Sequence, residues 1–347
     1  RTMVEPEALI GTVKQRIAEA LHIGRVEYVT GAAEWAELRL PVRTQSAELG
    51  VLALGAKRSE EPYSPSEIRL LESVATQTAF ALENAKLTET VAHEAAQRER
   101  IHREIEIARE VQERLLPKRA PEVEGLEIAG VCIPAQAIGG DYFDYLQGAN
   151  GEVGFAIGDI AGKGIPASLL MASLQASLRG LIAGGVRELP ELMAQLNRLI
   201  YEATPKNRFA TFFYAWYEPA ARVLRCGCAG HNAALLVRAD GAWEWVKPKG
   251  LALGLTRVAK YEEQRVELRE GDVLVLYTDG VTEAMNPERA EFGEERLEAA
   301  VRGLRGQGAH GMLEGIVGAV REFVREAPAH DDLTVVVVGA REGNRVV

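Results

Sequence analysis

Gly139-Gly140-Asp141-Tyr142-Phe143-Asp144, followed by Phe155-Ala156-Ile157-Gly158-Asp159-Ile160-Ala161-Gly162-Lys163-Gly164, sets Asp141, Asp144 and Asp159 among glycines. The apolar run Phe155–Ile157 leads straight toward the last acid, as a buried strand would that delivers a carboxylate at its own end. Two later stretches repeat the design. Val273-Leu274-Val275-Leu276-Tyr277-Thr278-Asp279-Gly280-Val281 reads as a buried strand ending on an acid and turning at a glycine. His330-Asp331-Asp332-Leu333-Thr334 precedes Val335-Val336-Val337-Val338, so here an acid pair stands at the entrance to a strand. One Asp before Gly is ordinary turn chemistry. Three such acids, each abutting an apolar strand, point to a shared metal site, because an unpaired carboxylate beside a core costs several kcal/mol and a divalent cation offsets it.

The ligand type narrows the chemistry. Zinc favours His and Cys, and no His pair here has ligand spacing. An all-oxygen set suits Mg²⁺ or Mn²⁺ with water completing the shell. Two such ions about 4 Å apart activate a shared water and clamp the oxygens of a phosphate. The expected chemistry is phosphoester hydrolysis by direct attack of that water, without a covalent enzyme intermediate.

Working outward, further strands are expected at Leu126–Ile133, Thr211–Tyr217, Val223–Cys228, Ala233–Arg238 and Tyr261–Val266, beside Val153–Ile157, Val273–Tyr277 and Leu333–Val338. Helices fit Pro166–Ile182, Pro190–Thr204, Glu294–Leu304 and Gly311–Arg325. Strands outnumber helices and several are joined by hairpin-length links such as Ala239-Asp240-Gly241. The pattern predicts α+β layering, antiparallel sheets flanked by helices, over residues 122–347. Trp243 and Trp245 alternate on a hairpin and read as cover for a sheet face.

Residues 1–85 form a leading module. A helix is expected over Glu7–Leu21, then strands Glu37–Val42 and Leu49–Leu54. Ser64-Pro65-Ser66-Glu67 opens a second helix, with Ser64 as cap, Pro65 at the first helical position and Glu67 completing a capping box. The module resembles the C-terminal part of a GAF domain in Leu49–Leu54 and the Ser64–Ala85 helix, and the resemblance implies a regulatory or dimerising role. Residues 86–116 contain no Gly or Pro and continue as helix. Their seam of Leu87, Val91, Glu94, Arg98, Ile101, Ile105, Ala108, Gln112 and Leu115 slips phase near residue 86 and is polar at its centre. It reads as a parallel dimeric coiled-coil linker, 86–121, ended by Pro117 and Pro121, in which Ile101, Ile105, Ala108 and Leu115 need a partner surface.

Across the 347 residues, 47% are apolar and 26% charged, the balance of a folded protein of more than one domain. A net charge of −10 argues against nucleic acid or an anionic membrane as partner. No apolar run approaches the roughly 18 residues of a membrane span, and the start does not read as a signal peptide. Cys132, Cys226 and Cys228 are too few for a disulfide framework and fit buried thiols in a reducing cytoplasm. The chain opens on Arg1 rather than Met, so residues upstream are expected.

Gly139–Asp144, Gly158-Asp159-Ile160-Ala161-Gly162-Lys163-Gly164-Ile165-Pro166-Ala167, Ala229-Gly230-His231-Asn232, Tyr277–Val281 and Asp331-Asp332-Leu333-Thr334 stand in the order seen in RsbU/SpoIIE-type phosphatases. These resemble the metal-dependent type 2C (PPM) Ser/Thr phosphatases. The helix Glu104–Pro117 resembles the segment preceding their catalytic domain. The resemblance implies a β-sandwich flanked by helices and a cytoplasmic Mn²⁺- or Mg²⁺-dependent phosphoserine/phosphothreonine phosphatase holding two ions. Its substrate would be a phosphorylated STAS-domain anti-sigma-factor antagonist in partner switching. By the same resemblance Asp159 bridges both metals, the Ile160 carbonyl helps bind one, Asp279 and Asp331 hold the other, and Asp141 orients water. Asp144 and Asp332 order loops. Lys163 steers phosphate or lies on an exposed turn. His231 serves as general acid or, the favoured reading, as a turn histidine in a local network. No counterpart of the phosphate-binding Arg of eukaryotic relatives is found. The rival reading is a catalytically silent dimeric scaffold, whose mark would be a missing metal acid; a two-metal nuclease is disfavoured by charge.

Overall fold

The computed structural model describes residues 6–45, 47–204 and 208–341. The chain divides into two compact units, Arg1–His102 and Arg103–Val347.

In the first unit, α1 (Pro6–Ala20) precedes β1 (Val26–Val29), β2 (Leu38–Arg43) and β3 (Glu48–Leu54), which form an antiparallel sheet in the order β1-β3-β2. Then α2 (Pro65–Leu115) begins at the expected box: the Glu67 amide donates to Ser64 Oγ at 3.3 Å, and the Ser64 amide to Glu67 Oε2 at 2.7 Å. Leu71, Ala75, Ala79 and Leu82 of α2, at intervals of three and four, pack against Ile17, Leu40, Val42, Leu52 and Leu54. Strand β1 was not anticipated, since Val26-Glu27-Tyr28-Val29 is short and follows no clear turn signal. Beyond Ala85 the helix continues as expected, with Leu87, Val91 and Ile101 exposed.

The second unit opens with the end of α2, followed by β4 (Leu126–Ile133), β5 (Tyr142–Gln147), β6 (Val153–Ile160), α3 (Ile165–Ala183) and α4 (Leu189–Ala203). Strands β7 (Ala210–Glu218), β8 (Val223–Ala229), β9 (Ala234–Val237), β10 (Trp243–Val246), β11 (Gln264–Glu267) and β12 (Val273–Tyr277) come next. The unit closes with α5 (Asp279–Thr282), α6 (Gly293–Gly303), α7 (Gly308–Val324) and β13 (Leu333–Ala340). Its two five-stranded antiparallel sheets run β10-β9-β12-β13-β4 and β11-β8-β7-β6-β5.

The alternation of side chains builds the layers. Val153, Phe155 and Ile157 of β6, Phe213 and Ala215 of β7, and Leu274, Leu276, Val336 and Val338 from the facing sheet fill the sandwich core. The opposite residues of β6 and β7, Ala156, Ile160, Phe212, Tyr214 and Trp216, meet Leu174, Leu178, Met193 and Leu196 of α3 and α4. On the far side Val275, Val335 and Val337 meet Leu297, Met312 and Ile316 of α6 and α7. Both faces of the central strands are covered, which is why they read as continuous apolar runs.

Four corrections follow. Helix α3 is long and apolar enough to pass for a membrane span by composition, against the expectation that no segment would. Its Leu170, Met171, Leu174, Leu178 and Ile182 are spent on the core beside β6. Strand β11 begins at Gln264 rather than Tyr261, because Tyr261 makes only an isolated bridge to Gly250. Strand β5 was missed: Gly-Gly-Asp signals a turn, and a charged Asp144 argues against a buried strand. Trp245 covers its sheet as expected, against Tyr277, but the hairpin itself is the additional strand β10. Cys132, Cys226 and Cys228 are free and lie on β4 and β8.

Candidate active site

Register brings the acids to one end of the sandwich. Tyr142 at the start of β5 pairs Gly158 near the end of β6, so Asp141 and Asp159 emerge together. Tyr277 at the end of β12 pairs Val335 of β13, so Asp279 and the Asp331-Asp332 pair also emerge together. Asp141 ties the two sheets: its Oδ2 accepts from the Thr278 hydroxyl at 2.7 Å and the Thr334 hydroxyl at 2.6 Å. These threonines, one beside each later acid, are functional positions that sequence reasoning passed over; their adjacency to Asp279 and Asp332 was the available signal.

The glycines are there for close approach. A Cβ on Gly280 would run into the Asp332 carbonyl, and one on Gly139 into the Asp332 carboxylate. Asp332 orders the loop before β5, as expected: Oδ1 accepts from the Ala135 amide at 2.8 Å, Oδ2 from the Gly140 amide at 2.6 Å. Beside it, the end of α2 is fastened to the same loop. Gln112, buried, donates from its amide to the Gly139 carbonyl at 2.7 Å and accepts from the Gly139 amide at 3.1 Å. Leu115 and Leu116 pack against the apolar core between β6, β7 and the helices, while Ile105 and Ala108 are partly covered.

What distinguishes Asp159 is its company. Burial and the charges of Asp279, Asp331 and Asp332 push its carboxyl up to about 7. Asp141 is raised well above the carboxylate range by burial and by Asp159, against the lowering effect of the two threonines. Asp279 is raised by burial and by Asp331, and Glu283, one turn on, by burial and by Asp279. Glu283 was not anticipated; its position four residues after Asp279 was the clue. Lys163 is set against them: its ammonium lies 3.3 Å from Asp331 Oδ2 and donates to the His330 carbonyl.

The donor set suits a hard cation. A Cβ on Gly140 would lie 3.1 Å from the Ile160 carbonyl oxygen and 3.5 Å from Asp159 Oδ1 and from the Gly162 carbonyl oxygen, so two main-chain carbonyls and a carboxylate face a space that only a glycine leaves open. Among the described residues no three His, Cys, Asp or Glu side chains gather into a ready-made ligand cluster. Carbonyls and water would therefore have to complete any shell, as Mg²⁺ permits.

Two predicted residues stand apart from this cluster. Asp144 is fully buried on β5, where Arg179 grips both oxygens at 2.8 Å and the Tyr142 hydroxyl donates at 2.9 Å. His231 is buried with Nδ1 2.8 Å from the Thr211 hydroxyl and Nε2 unpartnered. Burial drives its pKa down to about 3, so the ring is neutral and holds no proton to give at neutral pH. A neutral ring bonded to Thr211 fits the local-network reading better than the general-acid one.

A two-sheet sandwich between helix pairs, with acids gathered at one end, is the fold of a type 2C-like Ser/Thr protein phosphatase domain. The SiaA-PP2C domain of Pseudomonas aeruginosa superposes with a TM-score of 0.62 at 22% identity, covering 70% of this chain and 98% of that one. The chain belongs to the stage II sporulation protein E (SpoIIE) family, which it matches over residues 149–341. It is 30% identical to phosphoserine phosphatase RsbU of Bacillus subtilis over 239 residues, 69% of this chain and 70% of RsbU. Phosphoserine phosphatase RsbP of the same organism is 25% identical over 182 residues, 52% of this chain and 45% of RsbP. The protein is a phosphoprotein phosphatase.

Proposed function

We propose that the acids at the sandwich end hold two divalent ions, Mn²⁺ or Mg²⁺, and hydrolyse phosphoserine or phosphothreonine on a STAS-domain partner-switching protein. The observation that carries this is the convergence of strand-end acids: Tyr142 pairs Gly158 and Tyr277 pairs Val335, so Asp141, Asp159, Asp279 and Asp331 emerge at one end of the sandwich. Asp159 and the Ile160 carbonyl would hold one ion, and Asp159, Asp279 and Asp331 the other. When bound, such ions supply a nucleophilic water at neutral pH and a clamp on the phosphate. The chain's own part is placement. Thr278 and Thr334 fix Asp141 by Oδ2, leaving Oδ1 to accept from a water. Lys163, paired with Asp331 Oδ2 at 3.3 Å, would exchange that carboxylate for a phosphate oxygen when the ion takes Asp331.

Residues 1–85 act in this reading as a GAF-like dimerisation module and 86–121 as a coiled-coil linker in a soluble, cytoplasmic homodimer. The Gln112–Gly139 bonds support the linker's control of the site, since they join α2 to the loop that carries Asp141. The test is phosphate release from a phosphorylated STAS-domain protein with Mn²⁺ and with chelator. Release that needs the ion and vanishes in Asp159→Asn is expected; release that persists in chelator refutes the metal assignment.

A further inference from the structure

Arg208 stands just before β7, beside the turn that follows Asp159. The Ile160–Ala210 pair and the Ala161 amide bonded to the Phe209 carbonyl at 2.9 Å carry its backbone past that turn. Its guanidinium lies over Gly162, where a Cβ would sit 3.2 Å from Nη1. Gly162 has φ 111°, a conformation that leaves its outer face bare. Nη1 is buried and, among the described residues, has no hydrogen-bond partner, and no carboxylate there pairs with the side chain. Other covered arginines of this unit are matched: Arg225 with Glu263 at 2.7 Å and Arg238 with Asp272 at 2.7 Å. A buried guanidinium donor left without an acceptor is destabilising, more so when charged, so its retention beside the reaction centre calls for an external anion.

The surroundings indicate a protein ligand. Three residues after Gly162, α3 begins with Ile165 and Leu169 exposed, Leu169 to 67%. The loop bridged to Ala210 through Leu253, whose Gly254 lies against the Arg208 carbonyl, presents Leu255 and Val258, the latter 83% exposed. That loop is held firmly: buried Asn197 accepts from the Gly254 amide at 2.9 Å and donates to the Thr256 carbonyl at 3.0 Å. A fixed apolar rim with a recessed guanidinium fits a folded phosphoprotein segment that brings an oxyanion.

We infer that Arg208 is a specificity-determining residue that receives an oxyanion of the phosphoprotein substrate, either the phosphate leaving the serine or a carboxylate flanking it. The inference rests on the phosphatase reading and deepens it. In the metal-loaded full chain, kcat and KM are measured for wild type, Arg208→Gln and Arg208→Lys on p-nitrophenyl phosphate, an acidic phosphoserine peptide and its neutral counterpart. Loss of a charge-assisted bond predicts a ten- to hundredfold fall (about) in kcat/KM for Arg208→Gln, carried by KM, with partial rescue by lysine. A fall confined to the acidic peptide identifies a carboxylate; a fall on all three identifies the phosphate. Unchanged kcat/KM on every substrate, in a variant melting at the wild-type temperature, overturns the inference. Asp159→Asn run beside it separates that outcome from failure of the phosphatase reading, which would show as activity in Asp159→Asn or none in wild type.

Discussion

Asp144 and Asp159 lie on neighbouring strands of one sheet, yet the protein treats them oppositely. Asp144 sits in the middle of β5 with a bidentate arginine and a tyrosine hydroxyl. Asp272, at the other end of the sandwich, is likewise closed by Arg238, the Arg269 amide and the Ala239 amide. Asp159, Asp279 and Glu283 are surrounded by further acids that hold their protons tighter. The lesson is that burial alone does not mark a functional carboxylate: Asp144 and Asp272 each have an arginine within 2.8 Å, whereas around Asp159, Asp279 and Asp331 the acids outnumber the lysine, Lys163, that reaches Asp331. A structural acid is neutralised from within the chain, and a metal-binding acid waits for its charge to arrive.

The largest effect that tests this contrast is on turnover. Asp159→Asn and Asp279→Asn should each lower kcat on a phosphopeptide with Mn²⁺ by about 10²–10³ or more, the scale for losing a main source of transition-state charge stabilisation. Arg179→Ala should leave kcat near wild type while costing about 3 kcal/mol of stability in urea, the low end for stripping one partner from a buried pair because the guanidinium is half exposed. Activity lost in Arg179→Ala without unfolding would erase the distinction between the two acids.

Smaller effects sharpen it. Thr278→Val with Thr334→Val frees Asp141 without touching a charge, and should lower kcat about 10- to 100-fold, as for second-layer groups at metal sites. A kcat equal to wild type would remove Asp141 from the machinery. The smallest effect is in pH. With metal stripped, Asp159 keeps its proton in the folded state up to about 7, whereas its ordinary value is 3.8. Between those values the folded state binds more protons than the unfolded, so its stability falls as pH rises through the window. The melting temperature in chelator should drop from pH 5 to pH 8, less steeply in Asp159→Asn. Equal slopes would mean that Asp159 feels no such crowding.

Much of this was legible in the sequence because the strands carrying the acids are covered on both faces. Val273–Tyr277 and Leu126–Ile133 come out with the bounds their apolar runs suggest. Asp159 and Asp279 were legible because each ends such a run, and Asp331 because it stands at the entrance to one. Long-range pairing was not. Nothing near Asp144 announces Arg179 on α3, so β5 read as a loop. Thr278 and Thr334 look like ordinary strand-end residues until the facing sheets bring them to Asp141. Gln112 sat in an expected helix–helix seam, and only the folded unit shows its amide spent on Gly139. Arg208 carries no motif at all; its meaning is the lack of a partner, which no sequence displays.

The contrast between the two kinds of acid is tested most directly by calorimetric titration of Mn²⁺ into chelator-stripped protein. Wild type and Arg179→Ala should each bind two ions per chain, and Asp159→Asn should lose binding. Equal binding by wild type and Asp159→Asn, or none by wild type, would contradict the account.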